Sequence, residues 1–235
     1  MKKSTVLLSS AFIAVALIIL GFALKAGIDN FSDRDRDVTV RGLCERQVMA
    51  NKVTWPIVTK EMGNDLVAIY DKIQKNNAAI IKFLKTNGIE ENEISVNPPA
   101  VTDRLADSYN AENVRVRYNV TNVIVVTSSK VDQVRQLIDR QTDLMKEGVA
   151  VVAENYQYQT TYEYTDLNSI KPEMIAEATR NAREAADKFA ADSQSRLGKI
   201  KTARQGQFSI EDRDQYTPYI KNIRVVTSID YYLED

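Results

Sequence analysis

The sequence contains no histidine, and its single cysteine is Cys44. Without histidine the chain cannot build a Ser-His-Asp triad, a histidine general base or a metal site with histidine ligands. A lone cysteine excludes an internal disulfide and a zinc cluster made of thiolates. The 8 glycines never fall into the G-x-G-x-x-G or P-loop spacing that cradles phosphates. We therefore predict that the protein is not an enzyme and has no catalytic residue, cofactor or metal site.

Carboxylates keep one enzymatic alternative open. Asp and Glu number 32, and a hydrolase needs only two carboxyl groups that converge in a pocket. Such pairs are recognised by their geometry and shifted pKa values rather than by their spacing in the sequence. No acidic pair stands apart from the others, so this alternative depends on the structure.

Basic residues are not concentrated anywhere in the chain. Lys and Arg number 31, and the formal net charge is −1. A nucleic-acid-binding domain carries a basic patch or stripe, and this sequence has none. We predict no nucleic-acid partner.

Cys44 follows the strand-like run VTVRGL. A free cysteine in such a position is typical of a small buried residue of the core. The alternative is a reactive thiol, which would need an exposed and electropositive environment.

The N-terminus carries a long apolar run, Val6–Leu24, which is broken only by Ser9 and Ser10 and preceded by Lys2 and Lys3. A cleaved signal peptide has an apolar region of roughly 7–15 residues, whereas a membrane-spanning helix needs about 20. The run lies at the upper end, and no clean A-x-A cleavage site follows. We predict an uncleaved signal anchor in the membrane, with a cleaved signal and a soluble periplasmic protein as the alternative.

Charge on the two sides of this run predicts its orientation. Lysines precede it, and acidic residues follow it at Asp29, Asp33, Asp35 and Asp37. Positive charge stays on the cytoplasmic side, so we predict a single-pass protein of the inner membrane whose domain lies in the periplasm. The predicted divisions are an anchor at 1–27, a polar linker at 28–37 and a folded domain at 38–235.

The folded region alternates strand and helix patterns. Apolar residues repeat with a period of two, typical of strands, in Val38–Gly42, Val53–Ile57, Ile94–Val96, Val114–Val126, Val149–Tyr164, Phe208–Ile210 and Ile223–Leu233. They repeat at helical spacing in Leu66–Leu84 and Val131–Met145, which end near Gly88 and Gly148. We predict an α+β fold in which about three helices pack on one face of an antiparallel or mixed sheet.

The third helix is predicted from Pro172 to Gly198. Proline suits the first helical position, and glycine suits the left-handed residue that closes a helix. One face is predicted to carry Ile175, Ala178, Ala182, Ala185, Ala186, Phe189, Ser193 and Leu197. Because most of these side chains are alanine, we expect the helix backbone to approach its sheet closely.

Four tyrosines form the candidate binding site. Tyr156, Tyr158, Tyr162 and Tyr164 have even numbers, so they share one face of the predicted strand. Such an aromatic strip could stack on a glycan or a peptide. The alternative is that the rings cover the core beneath a helix. The exposure of the four rings discriminates between the two interpretations.

The run SIKPEMIAEATRNAREAADKFAADSQSRLGKIKTARQGQFSI, from Ser169 to Ile210, resembles the C-terminal signature of the SIMPL-domain family. The segments VTVRGLCER, the surroundings of Trp55-Pro56 and IRVVTSIDYYLED are also similar to it. The resemblance implies an α+β domain, often exported in bacteria, that can assemble into ring-like or hollow oligomers. A vertebrate relative is an adaptor of a signalling kinase. The family has no established catalytic residues, so none are transferred to this chain.

Together these observations predict a non-enzymatic protein of the cell envelope. Its SIMPL-like domain is membrane-tethered or exported and associates with further copies of itself or with a protein or glycan partner. The alternative is a glycan- or peptide-binding module that uses the tyrosine strip.

Overall fold

The computed structural model describes residues 14–25, 27, 36–106, 115–152 and 156–234. Its helices are α1 (14–25), α2 (Leu66–Thr86), α3 (Val131–Asp139), α4 (Thr142–Lys146) and α5 (Leu167–Asp192). Its strands are β1 (Asp37–Met49), β2 (Lys52–Gly63), β3 (Ile94–Val96), β4 (Ala100–Asp103), β5 (Tyr118–Ser128), β6 (Thr161–Glu163), β7 (Arg196–Gln205), β8 (Ser209–Asp212) and β9 (Ile220–Glu234). The α+β prediction is confirmed. The strands form two sheets rather than the one predicted.

The predicted membrane anchor lies only partly within the described residues. Residues 14–25 are helical, whereas residues 6–13 of the apolar run and residues 28–35 of the predicted linker lie outside the described part. Among the helices that the structure describes, none combines the length and the apolar character needed to cross a membrane.

The described residues divide into two compact units. Unit 1 takes its residues from Met1–Arg46, Asn168–Ser209 and Ile223–Asp235, and unit 2 from Gln47–Leu167 and Ile210–Asn222. The strand order is β1-β9-β7 in one sheet, where β8 also pairs with β9, and β3-β5-β2-β6 in the other, where β4 also pairs with β5.

The core of unit 2 follows from strict alternation along β2 and β5. These strands pair antiparallel from Val53↔Ser128 to Gly63↔Tyr118. The apolar side chains that face inward meet Ile80 and Leu84 of α2, and all of them are almost completely buried. Trp55 belongs to the same cluster. The helix Leu66–Leu84 and the shared face of β5 are thus confirmed over the described residues.

Helices α2, α4 and α5 end in the same way, with a residue in the left-handed conformation whose amide bonds to the third preceding carbonyl. Gly88 and Gly148 have positive φ values of 86° and 82°, as expected for a left-handed closing residue, which confirms the two predicted ends. The predicted helix Val131–Met145 is instead two helices, since the Arg140 amide shares its bond between the third and fourth preceding carbonyls and the Gln141 amide bonds only to the third.

Helix α5 ends differently from the prediction. Gln194 has a positive φ of 56°, its amide donates to Ala191 O at 3.1 Å, and the Ser195 amide donates to Ala190 O at 2.9 Å. This is the Schellman arrangement with a residue other than glycine at its left-handed position. The predicted end at Gly198 is wrong, because Gly198 lies in β7.

The start of α5 also differs from the prediction. The helix begins at Leu167, so Pro172 lies inside it rather than at its first position. Proline has no N–H, so α5 lacks one backbone donor there.

The small-residue face of α5 is confirmed at Ala178, Ala182 and Ala186, whereas Ser193 and Leu197 of the predicted face lie beyond the end of the helix. Met174, Ala178, Ala182, Ala186 and Ala190 are buried at four-residue spacing. Phe189 is 60% exposed, so its predicted place on this face is wrong. It precedes Ala190 by one residue, which turns its side chain by about 100° around the helix.

Glycine on β1 accommodates this face. A Cβ at Gly42 would lie 1.8 Å from Ala178 O and 2.5 Å from Ala182 N. Any side chain there would overlap the backbone of α5, so glycine is required by the close approach of strand and helix. Cys44, two residues along the same strand face, is buried. Burial raises the pKa of its thiol, and Glu177 raises it further, which confirms the core interpretation over the reactive thiol.

Candidate functional site

The four candidate tyrosines do not share a strand face. Only Thr161–Glu163 is a strand, so Tyr162 alone lies on one. Tyr156 lies in a turn with 96% of its surface exposed, whereas Tyr158 and Tyr164 are half-buried outside β6. Residues 153–155 of the predicted strand Val149–Tyr164 lie outside the described residues.

The shortness of β6 has a cause on the neighbouring strand. β6 pairs with β2 at Lys52↔Glu163, Val53↔Tyr162 and Thr54↔Thr161. Two residues further along β2 stands Pro56, which has no N–H to donate. A continuation of the β6 ladder in register would therefore lack the hydrogen bond that residue 56 would donate.

Tyr156 and Tyr162 nevertheless meet at one site, here called the tyrosine cleft. This open cleft of about 690 Å³ is lined by Tyr156, Gln159, Thr160, Thr161, Tyr162, Asp212, Gln215, Pro218 and Lys221. Tyr158 and Tyr164 are not among the lining residues. The structure therefore brings two of the four predicted site residues together, one as an exposed ring and one as a half-buried wall.

A stack of side chains holds that wall in place. The Tyr162 and Tyr219 rings meet edge to face with their centroids 6.1 Å apart. The Arg135 guanidinium carbon lies 3.4 Å from the Tyr219 ring centroid, within cation–π range. Tyr219 and Arg135 also line an adjoining cleft of about 570 Å³, which shares Tyr162 with the tyrosine cleft.

One ion pair lies at the edge of the cleft. The Lys221 ammonium donates to the Asp212 carboxylate, and Lys221 is only 7% exposed. A buried lysine needs such a partner because its unpaired charge would be costly to desolvate. The pair leaves the cleft close to neutral.

The loop beside the cleft is held by Asp214. Its carboxylate accepts hydrogen bonds from the Tyr216 amide at 2.9 Å and the Thr217 amide at 2.8 Å. The Thr217 hydroxyl and the Arg213 guanidinium also donate to it, and these donors lower the pKa of Asp214 to about 2. The turn that carries Gln215 and Tyr216 is therefore fixed by several donors on one carboxylate.

The chemistry of the cleft is that of binding. Aromatic rings offer faces for stacking, and amide and hydroxyl side chains offer hydrogen bonds. Asp212 is the one carboxylate among the residues that line the tyrosine cleft in the described part, and it is paired with Lys221. In the described part, no group of three or more His, Cys, Asp or Glu side chains could hold a metal ion.

Sequence reasoning missed the second wall of the site. Gln215, Tyr216 and Tyr219 belong to the loop between β8 and β9, and Arg135 lies on α3. The sequence feature that indicates the residues of the β8–β9 loop is the run DRDQYTPY, a polar segment that contains two tyrosines and a proline. An exposed tyrosine such as Tyr216 in a loop is a stronger indication of binding than one on a strand.

The chain was compared with known proteins. No curated protein matches it. A family model described as "SIMPL: Protein of unknown function (DUF541)" matches residues 38–224. This match covers well over half of the chain and agrees with the resemblance of the α5 region. The chain belongs to the SIMPL family.

Proposed function

We propose that this protein is a non-enzymatic component of the cell envelope. Residues 6–24 tether it to the inner membrane, and its SIMPL domain lies in the periplasm, where it associates with further copies or with partners. The observation that carries the proposal is the apolar run with Lys2 and Lys3 before it and an acidic segment after it. Cleavage of this segment would give the same domain as a soluble periplasmic protein.

The proposed absence of enzymatic chemistry is supported by carboxylates that take part in ion pairs and turns. Asp103 pairs with Arg117 at 2.8 Å, and Glu93 pairs with Lys130 at 3.1 Å. Asp214 holds a turn. Carboxylates engaged in this way hold local structure and do not form the converging pair that a hydrolase needs.

Self-association is supported by an exposed apolar surface on unit 2. A groove of about 310 Å³ is lined by Leu66, Val67, Ile69, Tyr70, Ile73, Pro99, Val101 and Val120. Val67 is 70% exposed. Contiguous exposed apolar side chains mark surfaces of protein association, and the family resemblance implies that the partner is a second copy.

Two measurements on the full-length chain test this proposal. Mass spectrometry of the protein recovered from membranes should find the N-terminal segment intact; a mature chain that starts after the apolar run would contradict the tether.

Light scattering in an uncharged detergent should show a multimer that Val67→Asp weakens. Phe189→Asp, which also replaces an exposed apolar side chain, should leave the multimer unchanged. A strict monomer at high concentration would exclude self-association.

The second candidate function is a glycan- or peptide-binding module. The exposed ring of Tyr156 above the tyrosine cleft favours it. Screening the full-length chain against glycan and peptide arrays should give a ligand whose binding Tyr156→Ala abolishes. Phe189→Ala removes another exposed aromatic side chain and should have no effect, whereas equal losses in both variants would reject the site.

A further inference from the structure

The outer face of the sheet in unit 1 carries a cleft that the tyrosine site does not involve. It has a volume of about 450 Å³ and is lined by Thr39, Arg41, Arg204, Gln205, Gly206, Val226, Ser228 and Asp230. Val40 and Gly42 point to α5, so the alternating residues Thr39 and Arg41 point the opposite way. The cleft therefore lies on the face that α5 leaves open.

Hydrogen bonds define rows of side chains across this face. On β9, Asp230 accepts from Thr39 of β1 at 2.8 Å and also from Thr202 of β7. Further along the strands, Glu45 of β1 pairs with Arg224 of β9 at 3.3 Å. Residue numbers therefore increase along β1 as they decrease along β9, so these two strands are antiparallel.

The next row places two arginines around one serine. Because residues two apart share a face, Arg41 follows Thr39 and lies beside Ser228 on β9. Arg204 of β7 is the register partner of Ser228 on the other side. With neighbouring strands about 4.8 Å apart, the two arginine Cα atoms are about 10 Å apart. Their long side chains can therefore converge on one group above Ser228.

These two arginines differ from Lys201 and Arg224 of the same sheet. Lys201 pairs with Asp37 at 3.1 Å, and Arg224 pairs with Glu45. Within the described residues, the guanidinium groups of Arg41 and Arg204 have no hydrogen bond or ion pair. Hydrogen bonds from Thr202 and Thr39, and more weakly the charge of Arg204, lower the pKa of Asp230. Asp230, the one carboxylate of the cleft, already receives hydroxyl donors on both of its oxygens.

Gly206 leaves its part of the cleft without a side chain. The Gly206 amide donates to Val226 O at 2.8 Å. A Cβ at Gly206 would lie 2.7 Å from that oxygen, so this position is restricted to glycine. Residue 206 therefore presents no side chain to the cleft.

We propose that this cleft binds a phosphate group, held by Arg41 and Arg204 with the Ser228 hydroxyl between them. Guanidinium groups donate forked hydrogen bonds to phosphate oxygens. Two forks and a hydroxyl offer more donors than a carboxylate can accept, whereas a phosphate has enough oxygens for all of them. The group comes either from soluble phosphate or from a lipid headgroup.

The test follows the arginine Nε–H signals of the full-length chain by NMR in an uncharged detergent. Inorganic phosphate is added at constant ionic strength, so that general screening does not change. The signals of Arg41 and Arg204 should shift and saturate. Arg41→Gln and Arg204→Gln should each weaken binding about tenfold, and the double variant should abolish it. Arg180→Gln, an exposed arginine on α5, should bind as the native chain does.

Two further probes identify the source of the phosphate. Saturation by dihexanoylphosphatidylglycerol at lower concentrations than inorganic phosphate assigns a lipid headgroup, and the reverse order assigns soluble phosphate. Acetate that binds more tightly than either would overturn the phosphate assignment. The proposal would be rejected if the NMR shifts never saturate or if the double variant still binds phosphate. In that case the two arginines would be solvated charges without a specific ligand.

Discussion

Helix α5 meets its sheet through alanine and glycine, whereas helix α2 meets its own through isoleucine and leucine. Under α5, Ala178 and Ala182 leave so little room that β1 requires Gly42. Under α2, Ile80 and Leu84 fill the space above Trp55 and its neighbours. A close backbone approach tolerates no added atoms, and a layer of large side chains tolerates no removed ones.

The polar content of the two layers also differs. Beneath α2, Asn122 on β5 donates to Asn77 Oδ1 at 2.7 Å and to Thr59 Oγ1 at 3.3 Å, and all three residues are buried. The α5 contact with its sheet is built from Val40, Ala182, Ala186, Ile229 and Tyr231. Buried hydrogen bonds thus help to position α2 in unit 2. In unit 1 the buried contact is apolar, and the hydrogen bonds from Asn181 to Leu43 O at 2.8 Å and from Arg46 to Glu173 at 2.7 Å lie at the exposed edges of α5.

The largest effect is expected from emptying the α2 layer. Ile80→Ala removes a completely buried side chain and should lower the free energy of unfolding by about 2–5 kcal/mol, because it leaves a cavity. Gln74→Ala, at an exposed position of α2 outside the apolar groove, should cost almost nothing. Denaturant unfolding measures both, and equal losses would show that the inner face of α2 is misassigned.

The next effect is expected from filling the α5 contact. Gly42→Ala adds one methyl group against the backbone of α5 and should cost about 3 kcal/mol. Gly63→Ala is the control, because its Cβ would lie 3.3 Å from the flexible end of Ile69. If Gly42→Ala unfolds at the same denaturant concentration as Gly63→Ala, α5 does not lie close to β1.

A smaller loss is expected on the helix side of the same contact. Ala182→Leu should cost about 1–3 kcal/mol by overpacking a buried face, whereas Ala176→Leu, at an exposed position of α5, should cost almost nothing. Melting temperatures compare the two directly. Equal shifts would mean that the alanine stripe does not face the sheet.

The smallest effect concerns pH and the loop of the tyrosine cleft. Because the pKa of Asp214 is lowered from 3.8 to about 2, its contribution to folding is present above pH 3.8. It is lost as the pH falls through about 2. The ¹³C signal of the Asp214 carboxyl should therefore titrate near pH 2, and Asp214→Asn should remove that transition. A titration midpoint near 4 would show that the donors of the turn are absent in solution.

Local signals predicted the parts of this fold that depend on neighbouring residues. The period of β5, the end of α2 at Gly88 and the alanine stripe of α5 all follow from spacing within one segment. The end of α5 did not follow from such spacing, because Gln194 adopts the left-handed conformation that the prediction assigned to Gly198.

Contacts between distant segments account for what the sequence left unpredicted. The division into two sheets depends on which strands pair, and the period of a strand does not identify its partner. β6 has only three residues, and Pro56, which has no N–H to donate, faces its continuation from more than 100 positions earlier. In place of the predicted tyrosine strip, the structure therefore has a cleft, and Tyr216 and Tyr219 of another loop lie nearby.

The side of the membrane on which the domain lies tests the proposed function most directly. Tyr156→Cys places a thiol at a fully exposed position, while the buried native Cys44 gives a low background. A membrane-impermeant maleimide added to spheroplasts that express the full-length variant should label it as completely as it does after lysis. Labelling only after lysis would place the domain in the cytoplasm and contradict the proposed function.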